Sequence, residues 1–178
     1  MAVVNLKSAS ITDQDASPRV SVQAGKGASA RLKAVDDYAA VAATDQATST
    51  YKLVRLPSNA KIKRITLEGE ALGGSCAFNY GLNYASRAED VGAGIVAGAV
   101  IDADFFASAV VHTNAVAPTN ITNEGGFFTI AERGAGQPLW QAAGLSADPG
   151  GKLDVVATMT VDAASGGNIY VMVEYVEG

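Results

Sequence analysis

Histidine and cysteine carry much of the acid–base and nucleophilic chemistry of proteins, and this chain has one of each. The 178 residues contain a single histidine, His112, and a single cysteine, Cys76. Ser–His–Asp or Cys–His catalysis would have to run through that one imidazole, which lies in the segment VVHTN with no motif near a serine or Cys76. One histidine and one cysteine do not furnish the usual ligands of zinc. The sequence therefore predicts no catalytic residue and no metal ligand.

Paired carboxylates are the other candidates for chemistry. They occur at Asp13/Asp15, Asp36/Asp37, Glu89/Asp90 and Asp102/Asp104. A glycosidase needs two carboxylates across a cleft, which sequence neighbours alone do not supply, and neither Asp-x-Asp pair continues into an EF-hand loop. The glycine-rich GAGIVAG follows no clear strand of a βαβ unit, so it does not indicate a dinucleotide site. We therefore expect a protein that is not an enzyme and holds no cofactor; the enzymatic alternative is a hydrolase whose site is assembled between subunits.

Charge is unevenly distributed along the chain. Residues 1–64 carry 10 Lys/Arg and 5 Asp/Glu, whereas residues 65–178 carry 3 and 13, which together give the net charge of −5. This split suggests that a basic surface meets an acidic partner, such as another copy of the chain. The alternative is that these charges are scattered over solvated faces. An acidic chain without a basic patch interleaved with aromatic residues does not indicate nucleic-acid binding.

The sequence also predicts where the protein assembles. No run of about 18 apolar residues predicts a transmembrane helix, so we expect no membrane partner. The first residues, MAVVNLKSASITDQD, lack the basic and apolar regions of a signal peptide. A single cysteine allows no internal disulfide, which fits assembly in a reducing cytoplasm.

Alternation of apolar and polar residues predicts strands. In LDVVATMTVD (residues 153–162) apolar residues occupy nearly every second position, the period of a strand with one buried face. Two segments are interpreted as β-hairpins, Thr50–Glu68 and Leu153–Val176. The first turns at the sequence PSNA, where Pro57 fixes φ. A phase change in its second strand predicts a β-bulge near Lys63-Arg64.

The remaining elements are shorter. We predict a strand over Cys76–Tyr84 with Cys76 as a buried apolar residue, and a short helix within Asp102–Val110 that Asp102 caps and that packs Phe105 and Phe106 inward. Other predicted elements are a strand at Arg31–Val35, a polar connection at Thr113–Asn123, a strand at Phe127–Ala131 and a helix at Gln137–Leu145 anchored by Leu139 and Trp140. These elements predict an all-β fold, an antiparallel β-sandwich of jelly-roll type with one or two short helices.

The N-terminal part differs from the rest. Residues 1–30 show no sustained helical period and contain Ser17-Pro18 and the sequence Gly25-Lys26-Gly27, so we expect an extended arm, followed by a single sandwich domain over residues 31–178. Four basic residues in or just after this arm are the candidates for contact with a partner or a neighbour: Arg19, Lys26, Arg31 and Lys33. The alternative for each is a solvated surface charge.

Four segments in order resemble the jelly-roll decoration, or cement, proteins of tailed-bacteriophage heads. They are YKLVRLPSNAKIKRITLEGE, DADFFASAV, GQPLWQAAGLSADPGG and GGNIYVMVEYV, and the likeness covers roughly residues 48–178. The turn Leu56-Pro57-Ser58-Asn59-Ala60 is similar to the family's Leu-Pro-x-Gly-Ala, with Asn59 in place of glycine. Asparagine tolerates a positive φ, so we expect the turn to be kept. Residues 1–47 show no clear match.

The resemblance implies a virion structural protein. Members of this family form trimers on the outside of an icosahedral capsid, where they clamp neighbouring subunits of the major capsid protein against the pressure of packaged DNA. A homotrimer would multiply weak contacts by avidity. The alternative is another phage structural module, such as a tail or baseplate jelly roll that binds host glycans.

Overall fold

The computed structural model describes residues 31–122 and 129–177, together with Pro18. Within these residues, eight strands form two four-stranded sheets, and two short helices follow the sixth strand. The elements are β1 (Leu32–Val41), β2 (Thr50–Pro57), β3 (Ala60–Gly69), β4 (Ala77–Tyr84), β5 (Val100–Val111), β6 (Val116–Asn120), α1 (Ile130–Ala135), α2 (Leu139–Ala142), β7 (Lys152–Val161) and β8 (Gly167–Glu177).

The strand order identifies the topology. The first sheet has the order β1-β8-β3-β6 and the second the order β2-β7-β4-β5, with antiparallel neighbours throughout. Strand β1 therefore pairs with β8, β2 with β7, β3 with β6 and β4 with β5. This nested pairing, folded over into two layers, is the arrangement of an eight-stranded jelly roll. The prediction of an all-β antiparallel sandwich is confirmed.

The two predicted hairpins are wrong, although their strands are in place. Strands β2 and β3 belong to different sheets, as do β7 and β8, so each segment is a corner that carries the chain from one layer to the other. At the first corner the Ser58 N–H donates to the Gly151 carbonyl at 3.0 Å, and the Ser58 carbonyl accepts from Trp140 at 3.1 Å. Alternation shows which face of a strand is buried but does not identify the strand beside it, which is why the sequence pattern misled here.

The predicted bulge is confirmed. The register of β3 against β8 shifts between Ile62 and Arg64, which leaves Lys63 as the extra residue. As a result Ile62 and Ile65 both point into the core although they differ in parity, and both are buried.

The predicted helix within Asp102–Val110 is wrong, because this segment is part of β5. Tyr80 of β4 pairs with Ala107 of β5, and Leu82 pairs with Asp102. Between these two pairs β4 advances by two residues and β5 by five, so β5 bulges here. The bulged backbone lies over Gly81, where a Cβ would come within 2.2 Å of the Asp102 carbonyl oxygen. The same irregularity buries both Phe105 and Phe106, as expected of these residues, but without a helix.

The helices also differ from expectation. The strand predicted at Phe127–Ala131 is contradicted in its described part, since Thr129 caps helix α1 through a capping box with Glu132. Helix α2 is only four residues long, and its anchor is the fully buried Leu139, whereas Trp140 is half-buried. The predicted polar connection at Thr113–Asn123 contains the short edge strand β6.

The core lies between the two sheets. Strand β8 contributes Ile169, Val171 and Val173, and β4 contributes Phe78, Tyr80 and Leu82. Alternate residues of β8 therefore point outward, and they form the middle of the outer face of the first sheet.

Candidate functional site

His112 follows β5 and is completely buried. Its Nε2 atom lies 3.1 Å from the Tyr80 hydroxyl, and its ring packs edge-on against Phe78 with centroids 5.2 Å apart. Gly69 leaves room for the ring, since a Cβ there would lie 2.5 Å from it. Burial lowers the pKa of His112, with a smaller opposing effect from the Glu70 backbone, and its Nδ1 has no hydrogen bond of good geometry among the described residues. The imidazole thus belongs to the interior of the sandwich.

Cys76 is buried as predicted, and it forms no disulfide. Burial raises the pKa of its thiol, so this group is held in the neutral form. Among the carboxylate pairs, Asp102 and Asp104 lie close together on β5, and hydrogen bonding to Asp102 raises the pKa of Asp104. Over the described residues no group of three or more His, Cys, Asp or Glu side chains is placed to hold a metal ion.

A cluster of four charged side chains lies where β2, β7 and the segment after β4 meet. The Arg55 guanidinium binds both carboxylate oxygens of Asp154, at 2.6 and 2.9 Å, and also Asp90 at 2.8 Å. Lys152 contacts the other oxygen of Asp90 at 3.0 Å. Hydrogen bonding to Lys152, with a further contribution from Arg55, keeps the pKa of Asp90 below its usual value.

This cluster explains part of the charge asymmetry of the sequence. Strand β2 pairs with β7 through Arg55 and Asp154, and basic β3 pairs with acidic β8 through Arg64 and Glu174, whose side chains lie 3.0 Å apart. Jelly-roll nesting places the first half of the chain beside the second. The expected acidic partner of these two arginines is therefore in the same chain.

The four predicted contact residues have different positions. Arg19 and Lys26 lie outside the described residues. Arg31 is exposed just before β1. Lys33 lies on β1 and forms an ion pair with Glu177 in which both side chains are largely exposed, an arrangement that contributes little to stability. The described residues therefore do not bring any two of these four side chains together in one site.

The outer face of the first sheet carries a group of aromatic and acidic side chains that the sequence patterns did not single out. Directly opposed residues share a face, and Tyr38, Tyr170 and Glu68 form one row across β1, β8 and β3. Asp36 lies one row further along β1, opposite Met172. Tyr38 is 64% exposed. We call Asp36, Tyr38, Glu68, Glu70 and Tyr170 the acidic tyrosine face.

A groove lies at the edge of this face, between β3, β6 and β8. It measures about 260 Å³ and is lined by Glu68, Gly69, Glu70, Val116, Asn168 and Tyr170. Glu70 accepts hydrogen bonds from the backbone and side-chain nitrogens of Asn168 at 2.8 and 3.0 Å. Burial is the main cause that raises the pKa of Tyr170, followed by the Asp36 and Glu68 carboxylates. Because β1 and β3 lie on either side of β8, Asp36 and Glu68 come from opposite sides of the strand that carries Tyr170.

The signal that could have found this face was present in the sequence. In β8 the outward positions Asn168, Tyr170, Met172 and Glu174 alternate with buried aliphatic residues. What the sequence lacked was the order of the strands, which brings β1 and β3 to either side of β8.

A comparison with solved structures finds a fold neighbour. The chain is similar to a chain of the "Cyanophage Pam1 capsid asymmetric unit", with a TM-score of 0.52 and 16% sequence identity, over 92% of this chain and 97% of that chain. The two chains are therefore of nearly equal length and share the fold over almost all of it. No protein-family model matches the sequence, and no curated protein matches it. The described residues include no helix long and apolar enough to cross a membrane.

Proposed function

We propose that this protein is a virion structural protein that decorates and stabilises the outer surface of an icosahedral phage capsid. The observation that carries the proposal is the fold likeness to a chain of a cyanophage capsid asymmetric unit over nearly the whole length of both chains. The resemblance of four sequence segments to phage-head decoration proteins supports the same role independently of the fold.

In this role the protein acts as a homotrimer that clamps neighbouring major capsid protein subunits on the capsid exterior, after assembly in the host cytoplasm. The internal pairing of Arg55 and Arg64 is consistent with a rigid module, since each ion pair joins neighbouring strands of one sheet. The candidates for contact with the capsid or with a neighbouring copy are the basic residues in and after the N-terminal segment, Arg19, Lys26, Arg31 and Lys33.

The test is binding of the purified full-length protein to phage heads that lack decoration. We expect saturable co-sedimentation with expanded heads and added density outside the capsid shell in cryo-electron microscopy. Heads that sediment without the protein at high protein concentration would overturn the decoration role. Light scattering after size-exclusion chromatography tests the trimer separately, and a monomer at high concentration would contradict it.

A further inference from the structure

We propose that the acidic tyrosine face is a docking site for the basic N-terminal segment of a second copy of this chain, with Lys26 entering the groove beside Tyr170. This contact is between copies of the protein and does not depend on binding to a capsid. It gives the carboxylates of the acidic tyrosine face a cationic partner, which the ion pairs within the chain do not provide.

The face has the chemistry of an ammonium site. Glu68 and Glu70 line the groove, Asp36 lies on the other side of Tyr170, and the aromatic rings of Tyr38 and Tyr170 lie in the same cross-strand row. A lysine ammonium is stabilised by nearby carboxylates and by the face of an aromatic ring. The groove volume of about 260 Å³ is enough for one long side chain.

The carboxylates of this face lack a cationic partner within the described residues. Two basic side chains of this sheet already have carboxylate partners, since Arg64 pairs with Glu174 and Lys33 pairs with Glu177. Asp36 and Glu68 form no ion pair within residues 31–122 and 129–177. A positively charged occupant would therefore gain charge complementarity without breaking an existing pair.

The N-terminal segment has the matching charge. Residues 19–31, RVSVQAGKGASAR, contain three cations and no acid. Lys26 is flanked by Gly25 and Gly27, and the absence of a side chain on either neighbour allows its backbone to come close to a flat sheet surface. The two other cations, Arg19 and Arg31, can remain at the rim of the face.

The reach of the chain favours a second copy over the same chain. Leu32 begins β1, and the groove lies six to eight strand positions along the sheet and two strands across, about 25 Å away. Lys26 precedes Leu32 by six residues, and about two of them are needed to reverse the direction of the chain. The other four span about 14 Å, and the lysine side chain adds about 6 Å, which gives a reach of about 20 Å. Lys26 of the same chain therefore falls short of the groove.

Zero-length carbodiimide cross-linking, which joins an amine to a carboxylate in contact, tests the proposal with full-length protein. Two forms are co-expressed. The first carries Lys26→Arg and keeps the face; the second keeps Lys26 and carries Asp36→Asn, Glu68→Gln and Glu70→Gln. In this pair, a linkage between Lys26 and the face can form only between copies. The readout is the cross-linked peptide in mass spectrometry.

The expected result is a Lys26 linkage to Glu68, Glu70 or Asp36 in the wild type, its loss in each form expressed alone, and its return in the co-expressed pair. A control variant, Glu89→Gln, removes an exposed carboxylate elsewhere and should leave the linkage unchanged. A wild-type linkage that fails to return in the co-expressed pair would assign the site to the same chain and overturn the proposal, as would the absence of any linkage in the wild type. Neither result bears on capsid binding, which is measured on heads.

Discussion

Arg55 and Asp154 join the basic first half of the chain to its acidic second half. The Arg55 Nε lies 2.6 Å from one Asp154 oxygen and its Nη2 lies 2.9 Å from the other, so the contact is bidentate. Asp154 is only 2% exposed and also accepts from the Ser86 N–H at 3.1 Å. This pair ties the edge strand β2 to β7 in the second sheet.

Loss of the arginine from this pair should be costly. Replacement of Arg55 by methionine keeps most of the packing but leaves the Asp154 carboxylate buried without its cation, and we expect the free energy of unfolding to fall by about 3 kcal/mol. Urea denaturation measures the change. The matched control is Arg64→Met, which breaks the more exposed pair with Glu174 and should cost less than about 1 kcal/mol. Equal losses in the two variants would contradict a special role for the Arg55 pair.

Gly81 should tolerate no side chain. An added Cβ would lie 2.2 Å from the Asp102 carbonyl oxygen and 2.4 Å from Ala103 backbone atoms, so Gly81→Ala must push the bulge of β5 away from β4. We expect a loss of about 3 kcal/mol or more, or failure to fold. Gly134→Ala in helix α1 is the control: nothing lies within 4 Å of its Cβ, and it should stabilise by about 0.4–1 kcal/mol. Thermal unfolding distinguishes the two.

His112 should make the fold sensitive to mild acid. Its pKa is lowered by burial from an ordinary value of 6.5, so below pH 6.5 the unfolded chain binds a proton that the folded chain does not. The free energy of unfolding then falls as pH decreases, by up to about 1.4 kcal/mol per pH unit, until the folded-state pKa is reached. Above pH 7 this contribution is fully present.

Urea titrations between pH 7.5 and 5 measure this slope, and His112→Gln should flatten it. The variant removes the only histidine of the chain and is expected to be less stable at pH 7 because the Tyr80 hydroxyl loses its imidazole partner. The carboxylates whose pKa is lowered, Asp45 and Asp90, titrate below pH 4 and do not act in this window. An unchanged slope in the variant would assign the acid sensitivity to another group.

The N-terminal segment should be needed for capsid binding but not for the fold. The eight strands of the described residues lie within residues 32–177, so we expect a protein without residues 1–30 to keep its circular dichroism spectrum and its trimeric state while it fails to occupy undecorated heads. Binding equal to that of the full chain would disprove a role for residues 1–30 in capsid binding. Loss of the folded trimer would show instead that the segment is structural.

The sequence alone was sufficient for the fold class and for several local features. The alternation in β4, β7 and β8, the burial of Cys76 and the bulge at Lys63 follow from short-range patterns, because each depends only on which side of one strand faces the core. The spacing of Thr129 and Glu132 is also the short-range pattern of a capping box, but it begins within the segment where a strand was predicted. The aromatic pair Phe105-Phe106 was correctly expected to be buried, yet in the wrong secondary structure.

What only the tertiary structure decided is the identity of each strand's partners. Both corners look like hairpins locally, and no local pattern tells a turn within one sheet from a turn between two sheets. The nesting of β1 with β8 and of β2 with β7 joins residues more than 90 positions apart. That long-range pairing places Arg55 against Asp154 and brings Tyr38, Tyr170 and Glu68 into one row. The folded sandwich therefore decides which charged side chains form ion pairs within the chain and which remain on the acidic tyrosine face.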